Sequence, residues 1–192
     1  MTDLLTAPAT IEWFTERETA FAEARRLRRP ILIDVYQDDC GGCVKLDEET
    51  FRDPVVAAEI RNRFVPLKLD LFADREFTRA NQIFWTPTVL IADHSGKVRY
   101  TSVNYLPATE MLDILDIGEG MVAMRWKESD RSIAAFRRVE ERHPDGPLTA
   151  EAIYWRGMAT YFRDGNSPKA AKQVWQEIKE RFPDSIWALR QP

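Results

Sequence analysis

Apolar residues recur along this chain at two spacings, which predict an alternation of strands and helices. The continuous apolar run over residues 31–36 predicts a buried strand, and apolar residues at every second position over 65–71 predict another. Residues 93–96 form a polar, glycine-containing turn that predicts a hairpin between its flanking strands. The segments with a strand pattern are 10–13, 31–36, 65–71, 88–91 and 97–103.

Helical spacing fills the intervals between these strands. Thr15 and Glu18 have the spacing of a capping box, and Asp53 followed by proline is typical of a helix start. Gly118 and Gly120 leave the end of the last helix in this part open. Helices are predicted over 15–27, 40–51, 53–64 and 74–84, and from 107 onward.

Both cysteines of the chain stand where the strand over 31–36 gives way to a helix. Residues i and i+3 of a helix share a face, so Cys40 and Cys43 can close a disulfide ring. Cys40, at the exposed helix start, is the predicted attacking thiol, and Cys43, one turn deeper, is the predicted resolving thiol. Gly41 and Gly42 leave the backbone open to a substrate chain. Asp39, preceded by another aspartate, opposes thiolate formation at Cys40.

A metal site is the alternative chemistry for two cysteines at this spacing. A zinc site needs about four ligands, and the sequence adds only His94 and His143. The composition therefore favours a redox pair without a metal or other cofactor, although two chains could share a cluster.

The order of the predicted elements, together with two further motifs, resembles the thioredoxin fold. Asp34 lies six residues before Cys40, and Thr86 precedes Pro87 just before a strand. The resemblance implies an α/β fold, a central mixed sheet flanked by helices. It also implies that Asp34 relays protons to the resolving thiol, that Pro87 is a cis-proline facing the disulfide, and that the Thr86 backbone pairs with an incoming peptide.

A second part of the resemblance concerns the redox helix and its surroundings. The run 40–55 is similar to the thioredoxin-like branch in which this helix ends in Thr-Phe and is followed by Asp. The chain departs from thioredoxin itself at Asp39 and Tyr36, where thioredoxin carries tryptophans. Trp85 is placed either in the core or on the lip of the substrate site. The residues expected to contact substrate are Tyr36, Asp39, Gly41, Gly42, Trp85 and Thr86.

Beyond Trp126 no strand pattern follows, which predicts a redox domain over 1–126 and a helical region over 127–192. The sequence around Phe136 recurs around Trp175, at an offset of 39 residues. This region is similar to a degenerate tetratricopeptide repeat. Only about one and a half repeats fit, so we expect the helices to pack on the redox domain or on a second copy of the chain.

Composition limits the partners and the location. The chain has 192 residues, 44% of them hydrophobic, and a net charge of −4, which argues against nucleic acid as the main partner. No apolar run is long enough to predict a membrane span. Residues 1–8 have no basic segment followed by an apolar one, so no secretory signal is predicted and a cytoplasmic location is expected.

Three functions are compatible with these observations. The preferred one is a thiol-disulfide oxidoreductase that acts on a protein or small-molecule disulfide and is recycled by a reductase or a small thiol. The first alternative is a protein-binding module or co-chaperone in which the helical repeats recruit a client. The second is a redox sensor whose disulfide changes the contact between the two parts.

Overall fold

A computed structural model describes residues 10–191 and divides the chain into two compact units. The first unit ends at Leu112 and the second begins at Asp113. The predicted domain boundary after Trp126 stays a prediction, and residues 1–8, with their expected lack of a secretory signal, lie outside the described residues. Within residues 10–191, no helix combines the length and the hydropathy that crossing a bilayer requires.

The first unit contains the alternating elements that the sequence pattern predicts. Its strands are β1 (Ile31–Tyr36), β2 (Val65–Asp70), β3 (Thr88–Ala92) and β4 (Val98–Val103). Its helices are α1 (Arg17–Leu27), α2 (Gly41–Lys45), a π-helical turn (Leu46–Thr50), α3 (Pro54–Arg63) and α4 (Arg75–Ala80). Helix α5 (Ala108–Arg125) begins in this unit and continues into the second one.

The four strands form one mixed sheet in the order β2-β1-β3-β4. Strand β1 is parallel to β2 and antiparallel to β3, and β3 is antiparallel to β4. Ile31, Ile33 and Val35 of β1 share a buried cluster with residues of α1 and α4. Because side chains alternate along a strand, Asp34 points to the opposite face of the sheet. The predicted fold class, a central mixed sheet flanked by helices, is confirmed.

The predicted edge strand over 10–13 does not form. A single parallel bridge joins Phe14 to Leu67, with Phe14 donating to the Pro66 carbonyl at 2.9 Å and accepting from the Lys68 amide at 2.8 Å. Extending the ladder toward residue 12 would need an N–H on Pro66, which proline lacks. Helix α1 then begins at Arg17 without a side-chain cap, so the predicted capping box is also absent.

Helix α4 is shorter than the pattern predicts. It ends at Ala80 rather than near residue 84, and Gln82 takes a left-handed conformation with φ of 56°. The Gln82 amide donates to the Arg79 carbonyl and the Ile83 amide to the Thr78 carbonyl, which is the Schellman arrangement that closes a helix. Phe84 therefore leaves the helical face on which it was expected and is 85% exposed.

The second unit is helical, as expected for the region beyond Trp126. Besides the C-terminal part of α5, it contains α6 (Ser129–Arg142), α7 (Thr149–Arg163), α8 (Pro168–Arg181) and α9 (Ile186–Leu189). Gly120 lies within α5 and does not end it. A Cβ there would lie 2.6 Å from the Phe136 ring of α6. Gly157 of α7 is similarly close to the Trp175 ring of α8. These glycines permit close helix packing.

The sequence repeat maps onto equivalent parts of α6 and α8. Each helix is closed by an amide that donates to the carbonyl four residues earlier, His143 to Val139 and Phe182 to Ile178. Each is followed by the same Pro-Asp turn. The repeated sequence thus encodes a repeated helix end, while assignment to the tetratricopeptide class stays a prediction.

Candidate active site

The end of β1 delivers the cysteine pair to the start of α2. Cys40 is the N-cap of this helix, and its Sγ accepts a hydrogen bond from the Cys43 amide at 3.1 Å. The two cysteines form a disulfide with their Cα atoms 5.2 Å apart. The Cys40 sulfur thus lies at the start of the helix, where a backbone amide points toward it.

The two sulfur-bearing residues differ in access to solvent. Cys40 is partly exposed and lines a surface cleft of about 690 Å³, whereas Cys43 is only 4% exposed. A substrate can therefore approach Cys40, while Cys43 is shielded one turn further along the chain. The order of attack expected from the sequence stays a prediction.

The Thr86-Pro87 peptide bond is cis, and the proline ring lies against the redox helix. A Cβ built on Gly42 would be 3.0 Å from the Pro87 Cδ, whereas one on Gly41 would meet nothing within 4 Å. Thr86 lines the same cleft as Cys40, and Pro87 itself is buried. The structure thus places Thr86 and Pro87 close to Gly42 and Cys40, as the sequence predicts.

Asp34 is a buried carboxylic acid on β1, 2% exposed. Burial raises its pKa from 3.8 to about 7, and nearby Asp47 also raises it, although Lys68 acts in the opposite direction. Its Oδ1 atom has no hydrogen-bond partner within residues 10–191. A carboxyl with this pKa can take up and release a proton near neutral pH.

Lys68 is the cation that faces Asp34, and the sequence pattern did not assign it to the site. The parallel register pairs the two residues across β1 and β2, and the Lys68 Nζ lies 3.7 Å from the Asp34 Oδ2. The ammonium also bonds Asp47 of the π-helical turn. It lies 5.0 Å from the centre of the Tyr36 ring and 5.9 Å from that of Trp13. Tyr36 therefore contacts this cation and does not line the cleft.

Trp85 lies on the lip of the cleft rather than in the core. It is 57% exposed, lines the cleft, and donates from Nε1 to the Asn104 Oδ1 at 2.9 Å. Asp39, which precedes Cys40 in the chain, also lines the cleft.

Sequence reasoning missed most of the cleft wall formed by α4 and its flanking loops. No periodicity signals these residues, because they meet the cysteines only through the folded topology. The additional lining residues are Gln37, Leu71, Phe72, Arg75, Thr78, Arg79, Ile83 and Phe84.

No group of three or more histidine, cysteine, aspartate or glutamate residues suited to a metal ion occurs within residues 10–191. His143 instead pairs through Nδ1 with Asp113 at 2.8 Å.

A mixed sheet carrying a Cys-x-x-Cys disulfide opposite a cis-proline defines a thioredoxin-like redox protein. The chain belongs to the thioredoxin-like domain family, whose sequence model matches residues 17–118.

Curated relatives match parts of the chain. A stretch of 85 residues is 33% identical to a thiol:disulfide interchange protein, DsbD, of Vibrio vulnificus, and covers 42% of this chain but 14% of that protein. A stretch of 88 residues is 31% identical to the chloroplastic thioredoxin-like protein CITRX of Solanum lycopersicum, covering 45% of this chain and 49% of that protein. The chain thus spans half or less of these relatives.

Solved structures support the same fold. A candidate disulphide-isomerase from Bacteroides thetaiotaomicron superposes with a TM-score of 0.52 at 27% identity, covering 57% of this chain and 93% of that one. A thioredoxin from Thermus thermophilus gives a TM-score of 0.50 at 20% identity, covering 55% of this chain and 85% of the other. The second likeness concerns the fold alone.

Proposed function

We propose that this chain is a thiol-disulfide oxidoreductase that acts on protein disulfides, with Cys40 as nucleophile and Cys43 as resolving thiol. The observation that carries the proposal is the difference in access between the two residues. Cys40 lines an open cleft, and its disulfide partner is 4% exposed. Membership of the thioredoxin-like family and similarity to proteins named for thiol:disulfide interchange support it.

The reaction uses only the two thiols and the substrate disulfide. The Cys40 thiolate attacks one substrate sulfur, the substrate S–S bond breaks, and the second substrate sulfur leaves as a thiolate. Deprotonated Cys43 then attacks the Cys40 sulfur, which forms the Cys40–Cys43 disulfide and releases the first substrate sulfur. Two electrons pass from the dithiol to the substrate. The reverse sequence oxidises a substrate dithiol.

Asp34 is the residue that we assign to proton transfer during resolution. Cys43 must lose its proton to attack, and burial disfavours the transfer of that proton from the thiol to water. Asp34 has a pKa of about 7 and a carboxylate oxygen without a hydrogen-bond partner in the described part of the chain. It can therefore accept the proton at neutral pH, and Lys68 stabilises the carboxylate whenever it is ionised.

The proposal keeps the cytoplasmic setting expected from the sequence. In a reducing compartment, a reductase or a small thiol would return the pair to the dithiol. The substrate role proposed for Thr86 and Trp85 follows from their position on the cleft beside Cys40.

Redox titration tests this function. The fraction of disulfide is measured in glutathione buffers of defined potential by alkylation of free thiols and mass determination. We expect one reversible two-electron transition. The potential found would give the direction of the reaction, since pairs of this type span about −270 to about −120 mV. A pair that never cycles would contradict the proposal.

For the helical unit we propose contact with a second copy of the chain. The observation in favour is the exposure of two aliphatic residues in α9, Ile186 at 54% and Leu189 at 80%. Sedimentation analysis of the full chain tests the proposal, with Leu189→Asp as the disrupting variant. A concentration-dependent dimer lost in that variant supports the proposal, and a monomer at all concentrations contradicts it.

A further inference from the structure

The cleft beside Cys40 carries cations on a chain that is acidic as a whole. Arg75 and Arg79 both line it, whereas Asp39 is the only acidic residue among the lining residues. The chain as a whole has a net charge of −4. The lining of the cleft thus has two arginines against one aspartate, a local excess of positive charge that an approaching partner would meet.

The two arginines are available to a partner. They stand four residues apart on α4, so they share one side of the helix, and both are exposed. Within residues 10–191 neither forms an ion pair with a carboxylate. The acids at the start of α4 are engaged elsewhere: Asp74 and Glu76 pair with Arg17 of α1, at 2.8 and 4.0 Å.

Three large aromatic side chains complete this wall and are exposed. Phe72 is 55% exposed, Phe84 85% and Trp85 57%. The Arg75 guanidinium lies 6.0 Å from the centre of the Phe72 ring, so charge and apolar surface adjoin. Exposed aromatic surface of this kind, grouped at a reactive group, is typical of a surface that a partner covers.

We propose that the substrate is a protein segment whose exchanging cysteine has an acidic residue and an apolar residue close to it in sequence. The carboxylate would pair with Arg75 and Arg79, and the apolar side chain would cover Phe84 and Trp85. The inference rests on the proposed oxidoreductase function and adds the substrate class. A polypeptide fits better than a small disulfide because the aromatic side chains extend the contact well beyond the two exchanging sulfurs.

The proposal can be tested with the reduced Cys43→Ser variant, which stops at the mixed disulfide. Three peptides are compared, each with one cysteine in an unstrained disulfide to the same aromatic thiol. Beside the cysteine, every peptide has Phe and one variable residue, which is Glu, Gln or Lys. Oxidised glutathione is the small anionic comparison. The measured quantity is the second-order rate constant of Cys40 adduct formation, at about 20 mM and about 200 mM salt.

We expect the Glu peptide to react roughly ten-fold faster than the Gln peptide at low salt, and the Lys peptide to react slowest. The preference should shrink at the higher salt concentration. It should disappear when Arg75→Gln and Arg79→Gln are combined. It should persist in the matched control with Arg52→Gln and Arg61→Gln, which changes two exposed arginines outside the cleft.

Equal rates for the three peptides, or a preference that survives the Arg75→Gln and Arg79→Gln changes, would overturn the proposal. If the Arg75→Gln and Arg79→Gln changes slowed only the reaction with oxidised glutathione, the assignment to a polypeptide would be overturned. Reaction with none of the compounds, by a chain that fails to cycle in the redox titration, would refute the oxidoreductase function itself. Normal cycling with no charge preference would refute only the substrate class.

Discussion

Replacing Asp34 with asparagine should change how the stability of the first unit depends on pH. In the folded disulfide form, burial raises the pKa of Asp34 from 3.8 to about 7. Between about pH 4 and about pH 7, the folded chain therefore keeps a proton that the unfolded chain has released. Stability falls as the pH rises through this window, and the loss is complete above it. Asparagine cannot ionise, so the variant lacks this loss.

The size of the effect follows from the pKa shift. A rise of about three units corresponds to about 4 kcal/mol, since each unit is worth 1.36 kcal/mol. The Asp34→Asn variant should thus gain up to about 4 kcal/mol relative to the native chain between about pH 4 and about pH 8. The attraction of Lys68 is already contained in the shifted pKa, so it is not added again.

Hydrogen exchange of β1 and β3 amides, corrected for intrinsic rates, measures the opening free energy of this unit separately from the helical one. Exchange is followed in the oxidised native chain, in Asp34→Asn and in the control Glu48→Gln, which removes an exposed carboxyl. A difference between Asp34→Asn and the native chain that stays constant with pH, or that falls as the pH rises, would refute the reasoning.

Three further results are expected. Lys68→Met should raise the pKa of the buried carboxyl further, because the cation that lowers it is lost; carbon NMR titration measures this, and an unchanged or lower pKa would contradict it. Gly157→Ala should destabilise the second unit by about 1–3 kcal/mol, since its Cβ would overlap the Trp175 ring at 2.2 Å. An unfolding free energy in urea equal to that of the native chain would contradict this. Gly41→Ala should increase the free energy of unfolding by about 0.5–1 kcal/mol. Gly42→Ala should increase it less, because its Cβ would lie 3.0 Å from the Pro87 ring. Equal melting temperatures of the two variants would contradict this difference.

The sequence predicted the strands well because each carries its own signal. The apolar run over 31–36 and the alternation over 65–71 match β1 and β2 closely. Local capping was visible at α3, where Asp53 accepts from the Val55 and Val56 amides, although the capping box expected at Thr15 did not form. These features are set by residues that are close in sequence, so a sequence pattern can predict them.

Features that depend on pairing between distant segments were not predictable. The edge strand failed because Pro66, on another strand, has no N–H to donate. The contact between Asp34 and Lys68 follows from the register of β1 against β2, which alternation alone does not fix. Arg75 and Arg79 line the same cleft as Cys40, although they lie on a helix more than 30 residues further along the chain. The roles of Asp34 and Pro87 were assigned from the resemblance to the thioredoxin fold and stay predictions.

The order of attack by the two cysteines is the central claim, and trapping tests it most directly. Reduced Cys43→Ser and reduced Cys40→Ser are each mixed with the same peptide disulfide, and the mixed disulfides are quantified by mass after acid quenching. Because Cys40 lines the cleft and Cys43 is 4% exposed, Cys43→Ser should accumulate a stable adduct on Cys40, while Cys40→Ser should react far more slowly. Faster adduct formation on Cys43 would contradict the account.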